Sequence, residues 1–236
     1  MKIRLRYVFI ATLLLYWPMV FVFTHISEVP RFILRTQMSD KTMHYLGYLV
    51  LVFLWWFSVF PSQKPSVRRL PFWITLAMMA AYGGFDEWLQ GFTHRTPDVW
   101  DWVADMGGAV TGLIIFGVFG LRLSALGVTT VCIFILTSLC KTDPLGFVPF
   151  ADILFYLCAY SLVTLLWMDY LRKRRTLSRV EFVLLSLLLP VPLLSVTLIV
   201  ASIVGKQFAV DRLIAAGAGI VVTALITAAV QFFWKK

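Results

Sequence analysis

The sequence predicts an all-α fold: a polytopic membrane helix bundle of about eight transmembrane helices, arranged as two related four-helix halves. Composition is the first reason. Of the 236 residues 60% are hydrophobic and only 14% charged, with a mean hydropathy of +0.86, and a soluble core of that length cannot hide so much apolar surface. The second reason is the grouping of apolar residues into runs near the ~20 residues that cross ~30 Å of hydrocarbon. The third is the gathering of lysines and arginines between alternate runs.

In chain order the runs cover residues 7–24, 42–60, 72–90, 99–121, 124–140, 150–171, 182–204 and 213–234. The first has the basic flank of a signal peptide, but it is long and "WPMVFVFTHIS" offers no small-residue cleavage site, so it reads as a retained span. The second opens on "SDKTMHYLGY", the third closes on "DEWLQ" and the fourth opens on "DVWDWVADMGG". The other four carry the second half. The expected domains are therefore residues 1–122, with the polar cluster, and 123–236.

Orientation follows from the basic residues. With a cytoplasmic N-terminus, fourteen of the 21 lie inside, among them Lys2, Arg4, Arg6, Lys64 and the run "RKRR" at 172–175. That asymmetry places both termini in the cytoplasm. The net charge of +9 is then a topology signal plus attraction to anionic lipid. A nucleic-acid partner is excluded, since no soluble domain presents a groove. Cys132, Cys140 and Cys158 show no metal or redox spacing and read as small apolar residues. Tryptophans such as Trp17, Trp100 and Trp234 fall near run ends, as an interfacial belt does.

Charge is concentrated in one place, "GGFDEWLQGFTHRTPDVWDWVADMGG" at 83–108. An acid at the centre of a span costs about 2.5–3.5 kcal/mol on insertion scales, so Asp86, Glu87 and Asp105 should face the interior. Helical spacing places Asp86 and Glu87 with Gln90, and Asp98, Asp101 and Asp105 on one stripe. Asp40, His44 and Tyr48 are successive four-residue steps at the start of the second span, on the same side of the membrane. The expected site is an outward-facing pocket lined by Asp40, Lys41, His44, Tyr48, Asp86, Glu87, Gln90, Arg95, Asp98, Asp101 and Asp105. Lys41 and Arg95 are placed to supply its counter-charges.

Together, "DKTMH" (40–44), "DEWLQ" (86–90), "HR" (94–95) and "DWVADMGG" (101–108) resemble the recurring features of the VanZ-like family of bacterial membrane proteins. The resemblance covers about the first half of the chain. It departs where Asp105 stands in place of the family's usual asparagine, which adds a carboxyl group to the pocket. The family takes its name from a protein conferring resistance to a lipidated glycopeptide antibiotic. The resemblance thus implies a cell-envelope role bearing on antibiotic resistance, and no reaction.

An internal repeat is also legible. A shift of 112 pairs Asp40 with Asp152, Tyr48 with Tyr160 and Trp55 with Trp167; a shift of 110 pairs Asp101 with Asp211 and Gly107 with Gly217. The second half has lost the chemistry, with Tyr156 opposite His44 and "VASIVGK" opposite "DEWLQGF". Small residues such as Gly217 and Gly219 are expected to pack its spans against the first four.

Four readings fit such a pocket. It could bind the head of a membrane lipid or lipid-linked envelope precursor, with Lys41 and Arg95 reaching anionic oxygens. It could be an enzyme in which His44, Asp86, Glu87 or Asp105 act as acid and base, or in which Asp86, Glu87, Asp105 and His44 hold a divalent metal. It could be a transporter of a small solute or lipid, its two parallel halves rocking about a midplane site as in repeat-built carriers. The last is a buried ion-pair lock with no ligand.

Overall fold

The computed structural model describes residues 3–25, 39–92, 96–139, 150–174 and 178–233. Among them the chain is all-helical: α1 (Ile3–His25), α2 (Asp40–Val59), α3 (Leu70–Gln90), α4 (Val99–Val118), α5 (Leu121–Phe134) widening into a π-helical turn (Ile135–Leu139), α6 (Ala151–Arg174), α7 (Arg179–Leu187), α8 (Pro190–Val204) and α9 (Val210–Phe233). Among the described residues six stretches are long and apolar enough to cross a membrane, so this is a multi-pass membrane protein.

The described residues of the eight expected runs are mostly helical, but two runs do not reach that standard. The described apolar stretch of α1 is Arg6–Val22, in the shorter class. α3 has 21 residues, yet Asp86, Glu87 and Gln90 in its last turn dilute its apolar character. The seventh run is also not one straight helix. It breaks at Leu188–Leu189, directly before Pro190 and Pro192, because proline lacks the N–H that the ladder needs and crowds the preceding turn. Many outward-facing side chains on the helices are large and apolar, as with Ile203 at 79% exposure and Leu15 at 76%, which suits contact with lipid.

The described chain falls into two compact units that divide between Val128 and Thr129, inside α5 and a little beyond the expected boundary. In the first, α2 and α4 lie in close contact. A Cβ on Gly108 would fall on the Tyr45 carbonyl oxygen, and one on Gly112 would meet Val52 at 2.6 Å. Only glycine lets the two backbones come so near. Leu49, Val52, Trp56, Leu113 and Phe116 fill the contact, and Trp102 Nε1 donates to the Ala80 carbonyl at 3.0 Å to fasten α3.

The second unit is built on α6 and α9. Here Gly219 makes the close approach: its Cβ would meet the Leu157 carbonyl oxygen at 2.5 Å, and Ser161 Oγ donates to the Gly219 carbonyl at 3.2 Å. Gly219 therefore packs within its own unit, while a Cβ on Gly217 would meet nothing within 4 Å. Ser178 and Glu181 form a reciprocal cap at the start of α7. Lys206 is buried, its Nζ donating to the Thr137 carbonyl at 2.9 Å and to Tyr156 Oη at 3.4 Å. Asp152 is held by Arg212 at 3.1 Å.

Candidate functional site

The polar residues of the first unit meet at one end of its helices: the C-terminal ends of α1 and α3 and the N-terminal ends of α2 and α4. Ser39 starts α2 by accepting from the Thr42 amide, which puts Asp40, Lys41 and His44 in its first turns. Asp98 caps α4 by accepting from the Trp100 amide at 2.9 Å, which sets Asp101 and Asp105 one and two turns further in. At both N-termini an acid is favoured by the helix dipole. In the last turn of α3 the dipole is of the opposite sense, so Asp86 and Glu87 stand against it. Helix stability does not account for those two carboxyl groups.

Four of the acids are buried, Asp86 at 1% exposure, Glu87 at 7%, Asp101 at 5% and Asp105 at 0%. Their partners are specific. Asp86 accepts from Thr24 Oγ1 at 3.0 Å and from Gln90 Nε2 at 3.2 Å, with His25 Nδ1 at 3.6 Å. Glu87 accepts from the Asp98 amide at 3.0 Å and from Gln90 Nε2 at 3.4 Å. Lys41 Nζ donates to Asp98 at 2.8 Å and to Asp101 at 3.4 Å. His44 lies between Asp105, 3.0 Å from Nδ1, and Asp101, 4.0 Å from Nε2. The Lys41 ammonium beside Asp98, which lies in the connection outside the spans, holds its carboxyl below the ordinary aspartate range, aided by the Trp100 amide.

Tyr48, 2% exposed, stands on the next turn of α2 after His44. Its hydroxyl and Asp105 Oδ2 are buried and have no hydrogen-bond partner among the described residues. Both face the same small space over Gly83, where a Cβ would lie 3.2 Å from Tyr48 Oη and 3.1 Å from Asp105 Oδ2. The Tyr48 ring also stacks on Tyr82 at 5.9 Å, and Tyr82 packs edge-on against Trp17 at 5.3 Å. Below them, further along the same helices, is a cavity of about 210 Å³ lined by Trp17, Leu51, Trp55, Met78, Met79, Ala81 and Tyr82. A charged, hydrogen-bonded end thus adjoins an apolar aromatic cavity.

Of the residues expected from sequence, Lys41, His44, Asp86, Glu87, Gln90, Asp98, Asp101 and Asp105 are joined in this network. Asp40 joins through His44 and Asp101, with which it offers ligand atoms mutually within 4.8 Å, and Tyr48 joins through the space over Gly83. Arg95 lies outside the described residues. Its expected partner in charge supply, Lys41, is engaged by Asp98 and Asp101, not by Asp86, Glu87 or Asp105.

Two contributors were not expected. Thr24 and His25 stand at the end of the first span; the signal that could have found them is that they end a span on the same side as "DEWLQ". Gly83 was visible inside the charged stretch, but nothing in sequence spacing says that its missing side chain leaves room between Tyr48 and Asp105. Comparison with protein-family models, with curated proteins and with solved structures finds no match to this chain.

Proposed function

We propose that this chain is a VanZ-like protein of the bacterial cytoplasmic membrane, with both termini in the cytoplasm. Its polar cluster binds the head of a cell-envelope lipid or lipid-linked precursor from the outer side, and through that ligand it alters susceptibility to glycopeptides. One observation carries the reading: the buried hydrogen-bonding cluster of α1 to α4 adjoins an apolar cavity of about 210 Å³ lined by Trp17, Trp55 and Tyr82. An amphiphile needs both, polar partners for its head and a water-free channel for the first part of its chain. The fourteen inner basic residues set the orientation.

The second unit is, on the same reading, a degenerate copy of the first. The support is the pair of glycine approaches, Gly108 on Tyr45 and Gly219 on Leu157, at offsets of 112 residues (Tyr45 to Leu157) and 111 (Gly108 to Gly219). This register pairs Asp101 with Arg212 in place of Asp211. Where the first unit holds Asp40 near Asp101, the second holds Asp152 in an ion pair with Arg212.

A second reading, an acid–base enzyme acting on the same lipid, is favoured by the His44 Nδ1 to Asp105 contact of 3.0 Å. An acid that orients one ring nitrogen leaves the other to exchange a proton.

Lipid extracted from the purified protein tests the binding reading. Mass spectrometry should find an envelope lipid enriched over bulk membrane lipid, and Asp86→Asn should lose it while the protein still folds. Equal lipid content in the two proteins would overturn the proposal. Turnover of that lipid by the wild type, abolished by His44→Gln, would decide for the enzyme.

A further inference from the structure

We propose that His44, Glu87 and Asp105 bind one divalent metal ion of the manganese–zinc class, with the Tyr48 hydroxyl at the wall of the site. Each offers a ligand atom, all three are buried, and these atoms lie within 4.8 Å of one another. Bonds of about 2.0–2.2 Å set ligand atoms about 3 Å apart when adjacent and about 4.3 Å apart when opposite, so small side-chain adjustments close the set. Imidazole with two carboxylates suits manganese and zinc better than magnesium or calcium, which take oxygen alone.

Charge points the same way. Among the described residues no lysine or arginine reaches Asp86, Glu87 or Asp105; Lys41 pairs with Asp98 and Asp101, and the second possible group, Asp40 with His44 and Asp101, is the one that this lysine already serves. A carboxylate in a low-dielectric site requires a counter-charge or a proton. The second unit handles the same need internally: its buried carboxyl, Asp152, meets Arg212 at 3.1 Å. Among the described residues of the first unit Glu87 and Asp105 meet no lysine or arginine, and His44 is the basic side chain beside Asp105, at 3.0 Å.

The independent observation is the pair of orphaned polar atoms. Among the described residues Asp105 Oδ2 and Tyr48 Oη are buried without hydrogen-bond partners, on residues 0% and 2% exposed, and converge on the space that Gly83 leaves open. Buried polar atoms without partners each cost about 1–3 kcal/mol, and a metal with its bound water satisfies both. As an account of how an anionic lipid head is held in so acidic a cluster, through a bridging cation, the proposal rests on the headgroup reading. As a metal site it is tested without lipid.

The full chain in detergent, stripped with EDTA and dialysed, is titrated with Mn²⁺ alone, and free Mn²⁺ is followed by electron paramagnetic resonance. One equivalent should bind, and Zn²⁺ should displace it. Asp105→Asn and Glu87→Gln should each weaken binding by at least about tenfold. Gly83→Ala should weaken it to a similar degree while keeping every ligand atom, whereas Asp211→Asn, which removes an exposed acid of the second unit, should leave it unchanged. A wild-type dissociation constant weaker than about 1 mM, or equal affinity in wild type and Glu87→Gln, overturns the site. The wild-type titration decides even if a variant does not fold. Mn²⁺ binding in a protein that carries no enriched lipid would retain the metal site and sink only the headgroup reading.

Discussion

At the scale of single residues, the cluster is arranged at a cost to the fold. Glu87 is buried in the last turn of α3, where the helix dipole repels a carboxylate and where Asp86 is its neighbour in sequence. Glu87→Gln keeps an acceptor for the Asp98 amide, now 3.0 Å away, and removes the charge. In EDTA-treated protein this change should raise stability by about 1 kcal/mol, read as a higher midpoint of thermal unfolding. Unchanged or lower stability would mean that the charge is already compensated within the chain. A residue that weakens the resting fold and yet sits at the centre of a polar site is what a ligand site requires. Asp98 behaves differently, as a partly exposed cap paired with Lys41, and its role is to fix the start of α4.

At the scale of helices, glycines set the separation of the two main pairs. Gly219 sits under the Leu157 carbonyl, whereas a Cβ on Gly217 would meet nothing within 4 Å. Gly219→Ala should push α9 from α6 and cost about 1–3 kcal/mol. Gly217→Ala, two residues away, should be neutral or slightly stabilising, since alanine restricts the unfolded chain and favours helix. Thermal unfolding of both variants side by side checks this; equal losses would mean that the α6–α9 contact is not made through Gly219. The residue pattern alone suggested both glycines as packing points. Periodicity gives the face of a helix, but which position on that face meets a neighbouring carbonyl depends on how the two helices cross.

At the scale of the whole molecule, the basic residues define a direction. In a cysteine-free background, Thr93→Cys and Asp143→Cys should label from outside intact cells, and Ser66→Cys and Thr176→Cys only after permeabilisation. The reverse pattern would turn the polar cluster toward the cytoplasm and remove the outer-side ligand. The sequence by itself determined the class: helix positions, the multi-pass character and the segment carrying the charge all follow from transfer energies that act residue by residue and need no knowledge of neighbours. Most members of the cluster were legible for the same reason, because in-span acids such as Asp86, Glu87 and Asp105 have nowhere else to go. What the tertiary structure alone decided is who meets whom. That Thr24 and His25 serve Asp86, that Lys41 is taken by Asp98 and Asp101, and that Gly83 opens a space between Tyr48 and Asp105 are outcomes of helix crossing and depth. The break before Pro190 and Pro192 is by contrast a local effect of proline, which hydropathy does not register. Hydropathy is a sum over single residues, whereas partners are fixed by distances between helices, and no one-dimensional pattern contains those distances.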